Sequence, residues 1–256
     1  MFLDLSAQRD FVELNQGILQ DNGIVLRQDS FILDYGCGSG RHTYNYRDAG
    51  FRNTHGYDVT NYLNLRSPED VSFFRFDDRQ GPVGSFPRMS AIPWPADTFD
   101  FIFANSVFEH VIDQETAYRE VARVLKPGGW FLNNFPSKWR PMEPHIYVPF
   151  GGVTQSQLWF AIWAALGIRN EFQRGLDWKE TADKNHHYSI HGIKYPSGGE
   201  INRTLSEIFS VNRYVERSFA KYSPGRSRHL ANPMALFPPL ALLFRFAHTR
   251  VILSRK

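Results

Sequence analysis

The stretch "FILDYGCGSGR", residues 31–41, sets three glycines in five positions directly behind a short apolar run. Phe31, Ile32 and Leu33 read as the end of a buried strand. Glycine permits positive φ and lets the backbone approach a ligand closely, at an entropic cost. Gly36, Gly38 and Gly40 therefore predict a tight turn from strand into helix, with room for a bound molecule above it. Asp34, two residues ahead of the first glycine, adds a carboxylate to that turn.

On either side of the turn the pattern alternates. Residues 8–20 carry Phe11, Leu14, Ile18 and Leu19 at helical spacing, and a second helix runs from Arg41 to Ala49, where Gly50 ends it. "NTHGYDV" (53–59) and "FDFIFA" (99–104) read as strands. From Gln114 to Leu125 the apolar positions recur at helical spacing, "KPGG" (126–129) stops the helix, and "WFLNNF" (130–135) is the next strand. Strands alternating with helices predict a parallel sheet covered on both faces. Residues 136–200, rich in Trp, Tyr and His, read as a cap inserted into the sheet domain. A helical pattern over 201–210 follows, "VNRYVERSF" (211–219) reads as a strand, and "TRVILSRK" (249–256) as a strand closing the sheet edge.

Composition bounds the function. The chain has 256 residues, 42% of them hydrophobic, and a formal net charge of +3, too small an excess to argue for nucleic acid. Cys37 is the single cysteine, so no intramolecular disulfide and no cysteine-rich zinc site is available, and a reducing, cytoplasmic setting is expected. No signal peptide is read at the amino terminus, and no apolar run reaches the ~18 residues of a spanning helix.

The glycine pattern is not a dinucleotide fingerprint, because G-x-G-x-x-G would need glycine where Arg41 stands. An acid beside the turn disfavours a pyrophosphate and favours a ligand carrying an ammonium group. Asp58, eighteen residues past Gly40 at the end of the second strand, can accept hydrogen bonds from both hydroxyls of a ribose. A ribose at one end and a cationic amino-acid tail at the other describe S-adenosylmethionine.

With those residues in view, the sequence resembles the class I S-adenosylmethionine-dependent methyltransferases. "LDYGCGSGR" resembles their first motif and "GYDVT" their second. "MSAIPWPADTFDFIFANSVFEHV" (89–111) is similar to the segment that contacts the adenine and enters the fourth strand, and "EVARVLKPGGWFL" (120–132) to the helix, turn and fifth strand that follow. The likeness covers residues 29–135. It implies an α/β, Rossmann-like, mostly parallel seven-stranded sheet with helices on both faces and the cap after the fifth strand. The whole chain is expected to form one domain: a cofactor-binding half (1–135), the cap (136–200), and C-terminal helices and closing strands (201–256).

Carried over residue by residue, the resemblance implies that Asp34, Gly36 and Gly38 line the methionine end of the cofactor and Asp58 holds the ribose. Met89 and Ser90 would flank the adenine, and Ala104 and Asn105 would meet the methionine moiety. Ser90 departs from the acid that many relatives carry there, which weakens its hydrogen bond to the adenine amino group.

The sulfonium is already a good methyl donor, so the remaining requirement is an aligned nucleophile. A hydroxyl nucleophile gains from a general base. Two candidates stand where such folds put their sites: His110 after the fourth strand and His145 in "EPHIYVPF" (143–150). The expected reaction is O-methylation of a small-molecule or glycan-like acceptor, against N- or C-methylation of a small metabolite or a non-catalytic cofactor-binding scaffold. No metal ligand set is assigned, the histidines of "HHYSIH" (186–191) lacking companion carboxylates. Residues 233–256 are apolar with Arg245 and Arg250 near their end, a composition compatible with a membrane surface. The preferred expectation is a helix docked on the sheet followed by the last strand.

Overall fold

A computed structural model describes residues 5–77 and 91–256, with side chains described from residue 11 onward. The helix α1 (Leu5–Asp21) leads into β1 (Ile32–Tyr35), all four residues of which are buried. Gly40, at φ 80°, begins α2 (Arg41–Asp48), and Gly50 at φ 98° turns the chain toward β2 (Thr54–Asp58). β3 (Phe74–Phe76) and β4 (Phe99–Asn105) follow, the former too short to be read from sequence. Asp113 caps α3 (Gln114–Val124) by accepting from the Thr116 amide at 3.1 Å.

The helix stops at Val124, and β5 (Leu125–Pro136) begins at once. "KPGG" therefore lies inside the strand rather than ahead of it. Gly128 at φ 79° and a register shift opposite Phe99 and Phe101 absorb the irregularity. Beyond β5 the helices α4 (Gln157–Ala165) and α5 (Trp178–His191) bring Phe160, Ala164 and Ala182 together with Ile146 and Val148 into a small core of their own. Then come α6 (Gly198–Ile208), β6 (Val211–Tyr214), α7 (Glu216–Tyr222), α8 (Ala231–Leu236), α9 (Pro239–Ala247) and β7 (Thr249–Arg255).

The seven strands form one sheet in the order β3-β2-β1-β4-β5-β7-β6. β1 to β5 are parallel, whereas β7 runs antiparallel between β5 and β6. Two expectations are corrected here. β7 does not close the edge; its Val251, Ile252 and Leu253 are buried on both faces, and the short, half-exposed β6 takes the edge instead. "VNRYVERSF" is a strand only to Tyr214, after which Glu216, buried and paired with Arg245 at 2.8 Å, starts a helix.

Both faces of the sheet are covered, as parallel sheets require. Leu33, Ile102 and Phe131 pack with Phe108 and Tyr118 on one side; Ile32, Phe101, Phe103 and Leu132 pack with Ile18 and Tyr46 on the other. This alternation along β1, β4 and β5 fixes which residues emerge at their carboxyl ends. α9 docks through Phe244 against Ala220 and Met234. The two basic residues considered for a membrane surface turn inward: Arg245 pairs with Glu216, and Arg250 is buried and donates to the Pro196 carbonyl at 2.7 Å. Among the described residues no helix is long and apolar enough to cross a membrane.

Candidate active site

The glycine turn sits at the carboxyl end of β1. The amides of Gly36 and Cys37 both donate to the Tyr57 carbonyl, at 2.7 and 3.0 Å, which bends the chain sharply out of the sheet. Gly36 and Gly38 adopt φ 78° and 52°, a region that L side chains avoid. A Cβ on Gly36 would strike the Val107 side chain at 2.4 Å, whereas one on Gly38 would meet nothing within 4 Å. Gly36 is thus closed over by the loop after β4, and Gly38 faces open space where a ligand can approach.

Asp58 stands at the end of β2 beside that space. Its carboxylate accepts from the Gly38 amide at 2.7 Å and the Thr60 amide at 3.2 Å. Burial raises its pKa, and these amides offset part of the rise. Asp34 is set deeper. It is buried and accepts from the Thr43 hydroxyl of α2 at 2.8 Å. Burial, with the nearby Asp58 charge and against the Thr43 bond, pushes it up to about 7. Asp34 therefore ties the glycine turn to α2 through Thr43.

At the end of β4, Ala104 is buried in register with Asn133, and the Asn105 amide lies 3.3 Å from His42 Nε2. The His42 ring stacks on Phe11 of α1 at 3.7 Å, and burial brings its pKa down to about 4, so it is neutral. The leading helix thus touches the first turn of α2. Met89 and Ser90 lie outside the described residues. Cys37 is buried beside the two aspartates, and burial pushes its thiol up, away from thiolate chemistry.

The two histidines that the sequence offers as alternatives stand together. The turn Phe108–His110 after β4 and the loop after β5 bring the rings of His110 and His145 to 4.9 Å, at 79° to each other. Each Nδ1 has an acceptor: the Gly192 carbonyl for His110 at 2.8 Å, and Glu143 for His145 at 2.7 Å. Both rings are therefore oriented with Nδ1 as the donor, which leaves Nε2 as the acceptor nitrogen of the neutral imidazole.

Glu143 does more than bond the His145 ring. It is buried, and it also accepts from the amides of His145 and Ile146 and from the Tyr195 hydroxyl at 2.9 Å. Burial alone would raise its pKa, but these bonds and the imidazole hold it below the ordinary range. Burial pulls His145 down, and the Glu143 bond and charge outweigh it, leaving the imidazole above its ordinary value. For His110 burial wins, and the value falls.

Three further residues at this spot were not assigned from the sequence. Glu109, inside the quoted "EHV", is fully buried beside both histidines. Tyr188 lies with its ring 5.7 Å from His145, and Tyr195 braces Glu143. Tyr188 lies on α5, inside the quoted "HHYSIH", and Tyr195 follows that helix. The other histidines of "HHYSIH" stay apart: His187 and His191 pair with each other on the exposed face of α5.

Residues 33–133 match the family model described as a methyltransferase domain. The match starts in β1 and ends in β5, spanning the glycine turn, Asp58 and the Glu109–His110 turn. The likeness to methyltransferase domains therefore holds from β1 to β5, about two fifths of the chain.

Among the curated proteins similar to this chain, the O-methyltransferase resE of Aspergillus sclerotiorum is 31% identical over 100 residues, covering 38% of this chain and 36% of that one. The 27-O-demethylrifamycin SV methyltransferase of Amycolatopsis mediterranei is 29% identical, over 41% of this chain and 38% of its own. The uncharacterized methyltransferase YcgJ of Bacillus subtilis is 32% identical over 44% and 45% of the two chains; its crystal structure aligns at TM-score 0.49 and 17% identity over 96% and 98%. The alignments span 36%, 28% and 38% of the length of the first three curated relatives.

Proposed function

We propose that this protein transfers the methyl group of S-adenosylmethionine to a hydroxyl of a small-molecule or glycan-like acceptor. The observation that carries the reading is the His145–Glu143 pair at the same sheet edge as the Asp58 carboxylate and the glycine turn. Asp58 offers the ribose an acceptor, and Gly38 leaves the space beside it open.

The acceptor oxygen attacks the methyl carbon as the carbon–sulfur bond breaks, and the sulfonium sulfur keeps the electron pair. The hydroxyl proton leaves at the cluster after β4 and β5. His145 Nε2 is the proton acceptor in the metal-free protein, with Glu143 steadying the imidazolium that forms. Cap residues above the cluster, Tyr188 and Tyr195 among them, exclude water from the reacting oxygen. Among the relatives, resE and cnsE of Penicillium expansum are named O-methyltransferases and erg6 of Aspergillus fumigatus a sterol 24-C-methyltransferase, so the names support methyl transfer while the choice of oxygen rests on the His145–Glu143 pair.

The test is calorimetric binding of S-adenosylmethionine, followed by a search for demethylated cofactor with panels of hydroxyl, amine and carbon-acid acceptors. Turnover confined to hydroxyl acceptors supports the proposal. Turnover confined to amines moves the chemistry to nitrogen, and binding without turnover on any panel leaves a cofactor-binding scaffold.

A further inference from the structure

Glu109 presents an energetic problem that methyl transfer does not resolve. Its side chain has no exposure, and neither carboxylate oxygen has a hydrogen-bond partner among the described residues. An unsatisfied buried polar group costs about 1–3 kcal/mol, and more when charged. The turn that carries Glu109 is nonetheless fixed from outside. Lys194 donates its amide to the Glu109 carbonyl at 2.6 Å, and Gln114 bridges the carbonyls of Phe108 and Lys194. The carboxylate is held in place facing the two imidazoles.

We infer that Glu109, His110 and His145 form a binding site for a divalent first-row transition-metal cation. One ligand atom from each residue lies within 4.8 Å of the others, so a single ion can meet all three. Two imidazoles and one carboxylate are a ligand set for Zn²⁺, and for Mn²⁺, Fe²⁺ or Co²⁺ with open positions. Bonds of about 2.0–2.1 Å set tetrahedral ligand atoms roughly 3.3 Å apart, so the three side chains contract modestly onto the ion.

The surroundings of the two histidines are those of metal ligands. Metal-bound histidine ordinarily donates its second ring nitrogen to a carbonyl or a carboxylate. His110 Nδ1 meets the Gly192 carbonyl and His145 Nδ1 meets Glu143, one acceptor of each kind. With each Nδ1 so engaged, Nε2 is the nitrogen left for an ion, and a cation beside the two rings also satisfies the unpaired carboxylate. Glu143 is committed to Tyr195 and two amides, so it serves as the outer partner rather than a ligand. This departs from the sequence reading, which assigned no metal because it sought ligands within "HHYSIH". The actual set is split between two loops thirty-five residues apart.

The site stands on these side chains alone. Its consequence for catalysis rests on the methyl-transfer reading: the cation would supply Lewis-acid chemistry, lowering the pKa of an acceptor hydroxyl at an open position as it does for water. His145 would then hold the ion rather than accept the proton, which would leave to solvent as the acceptor enters, before the cap encloses it.

The full chain, stripped with chelator and dialysed, is titrated with Zn²⁺, Co²⁺, Mn²⁺ and Mg²⁺, with metal content read by mass spectrometry. One equivalent of a transition metal per chain, a visible Co²⁺ absorption band of imidazole coordination, and a raised melting temperature are expected. Glu109→Gln, His110→Gln and His145→Gln should each lower affinity at least 100-fold. Glu143→Gln, outside the ligand set, should lower it 10–100-fold while leaving one equivalent at saturation. Circular dichroism and affinity for demethylated cofactor establish that each variant folds; if the ligand variants do not fold, Glu143→Gln and the Co²⁺ band of the unaltered protein decide. Substoichiometric metal, a Co²⁺ spectrum like that of the free ion, binding of Mg²⁺ alone, or wild-type affinity in Glu109→Gln overturns the site. Metal bound as expected without methyl transfer to any hydroxyl leaves the site standing and removes the proposed function.

Discussion

Gly36 and Val107 lie so close that a Cβ added to the glycine would sit 2.4 Å from Val107 Cγ2. The contact joins the turn after β1 to the loop after β4, the two segments between which a cofactor would bind. Gly36→Ala therefore meets two obstacles, a positive φ and a steric clash. The first costs about 1–2 kcal/mol and the second about 1–3 kcal/mol. Urea unfolding of Gly36→Ala should show the combined loss, and Val107→Ala in the same chain should recover only the steric part. Full recovery in the double variant would mean that backbone conformation plays no part there.

A second prediction concerns Asp58. Removing its carboxylate deprives a bound ribose of a charge-assisted acceptor, so Asp58→Ala should weaken binding of S-adenosylmethionine and its demethylated product by about 1.5–3 kcal/mol. The same change frees the Gly38 amide, which donates to Asp58 at 2.7 Å. Calorimetry on the folded variant decides, and unchanged affinity would count against the ribose assignment.

The reach of the sequence can be judged from particular elements. β1, β2, β4, α2 and α3 were legible because each has a strong period, in α2 punctuated by Gly50; the Asp113 cap of α3 was seen only in the structure. β7 was legible as a strand but not in its place, since nothing local in "TRVILSR" says that it runs between β5 and β6. "VERSF" misled because Val215 and Phe219, which pack inward together, suit either period. At the candidate site, His110 and His145 were legible as separate options. That they meet follows from β4 and β5 being neighbours, and the orphaned Glu109 carboxylate becomes visible only in three dimensions.

Asp34 makes folding stability depend on pH. Its pKa in the folded chain is about 7, chiefly through burial, against an ordinary value of 3.8. Below pH 3.8 both folded and unfolded chains hold the proton. Between 3.8 and about 7 the unfolded chain has released it and the folded chain has not, so the folded state loses relative stability as pH rises, by about 1.4 kcal/mol per unit. Above about 7 this contribution is constant. Urea unfolding of the protein and of Asp34→Asn at pH 5, 6, 7 and 8 should show their stability difference shifting against the unaltered chain up to about pH 7 and then levelling. Parallel profiles across the whole range would refute a buried, proton-holding Asp34.

The last prediction separates the two histidines. Glu143 is bonded to His145 and not to His110, whose Nδ1 meets a neutral carbonyl. Positive charge developing on an imidazole is thus stabilised at His145 and resisted by burial at His110. In metal-free protein with a hydroxyl acceptor and saturating cofactor, His145→Gln should lower turnover at least ~100-fold with little change in cofactor affinity. Glu143→Gln should lower it in the same direction by less, because it removes the orienting charge but leaves the base. His110→Gln should cost less than His145→Gln under those conditions. If His110→Gln abolishes turnover while His145→Gln spares it, the base belongs to the loop after β4. If neither matters while the hydroxyl acceptor still turns over, its proton leaves to a group other than these two imidazoles, and the base assignment is wrong.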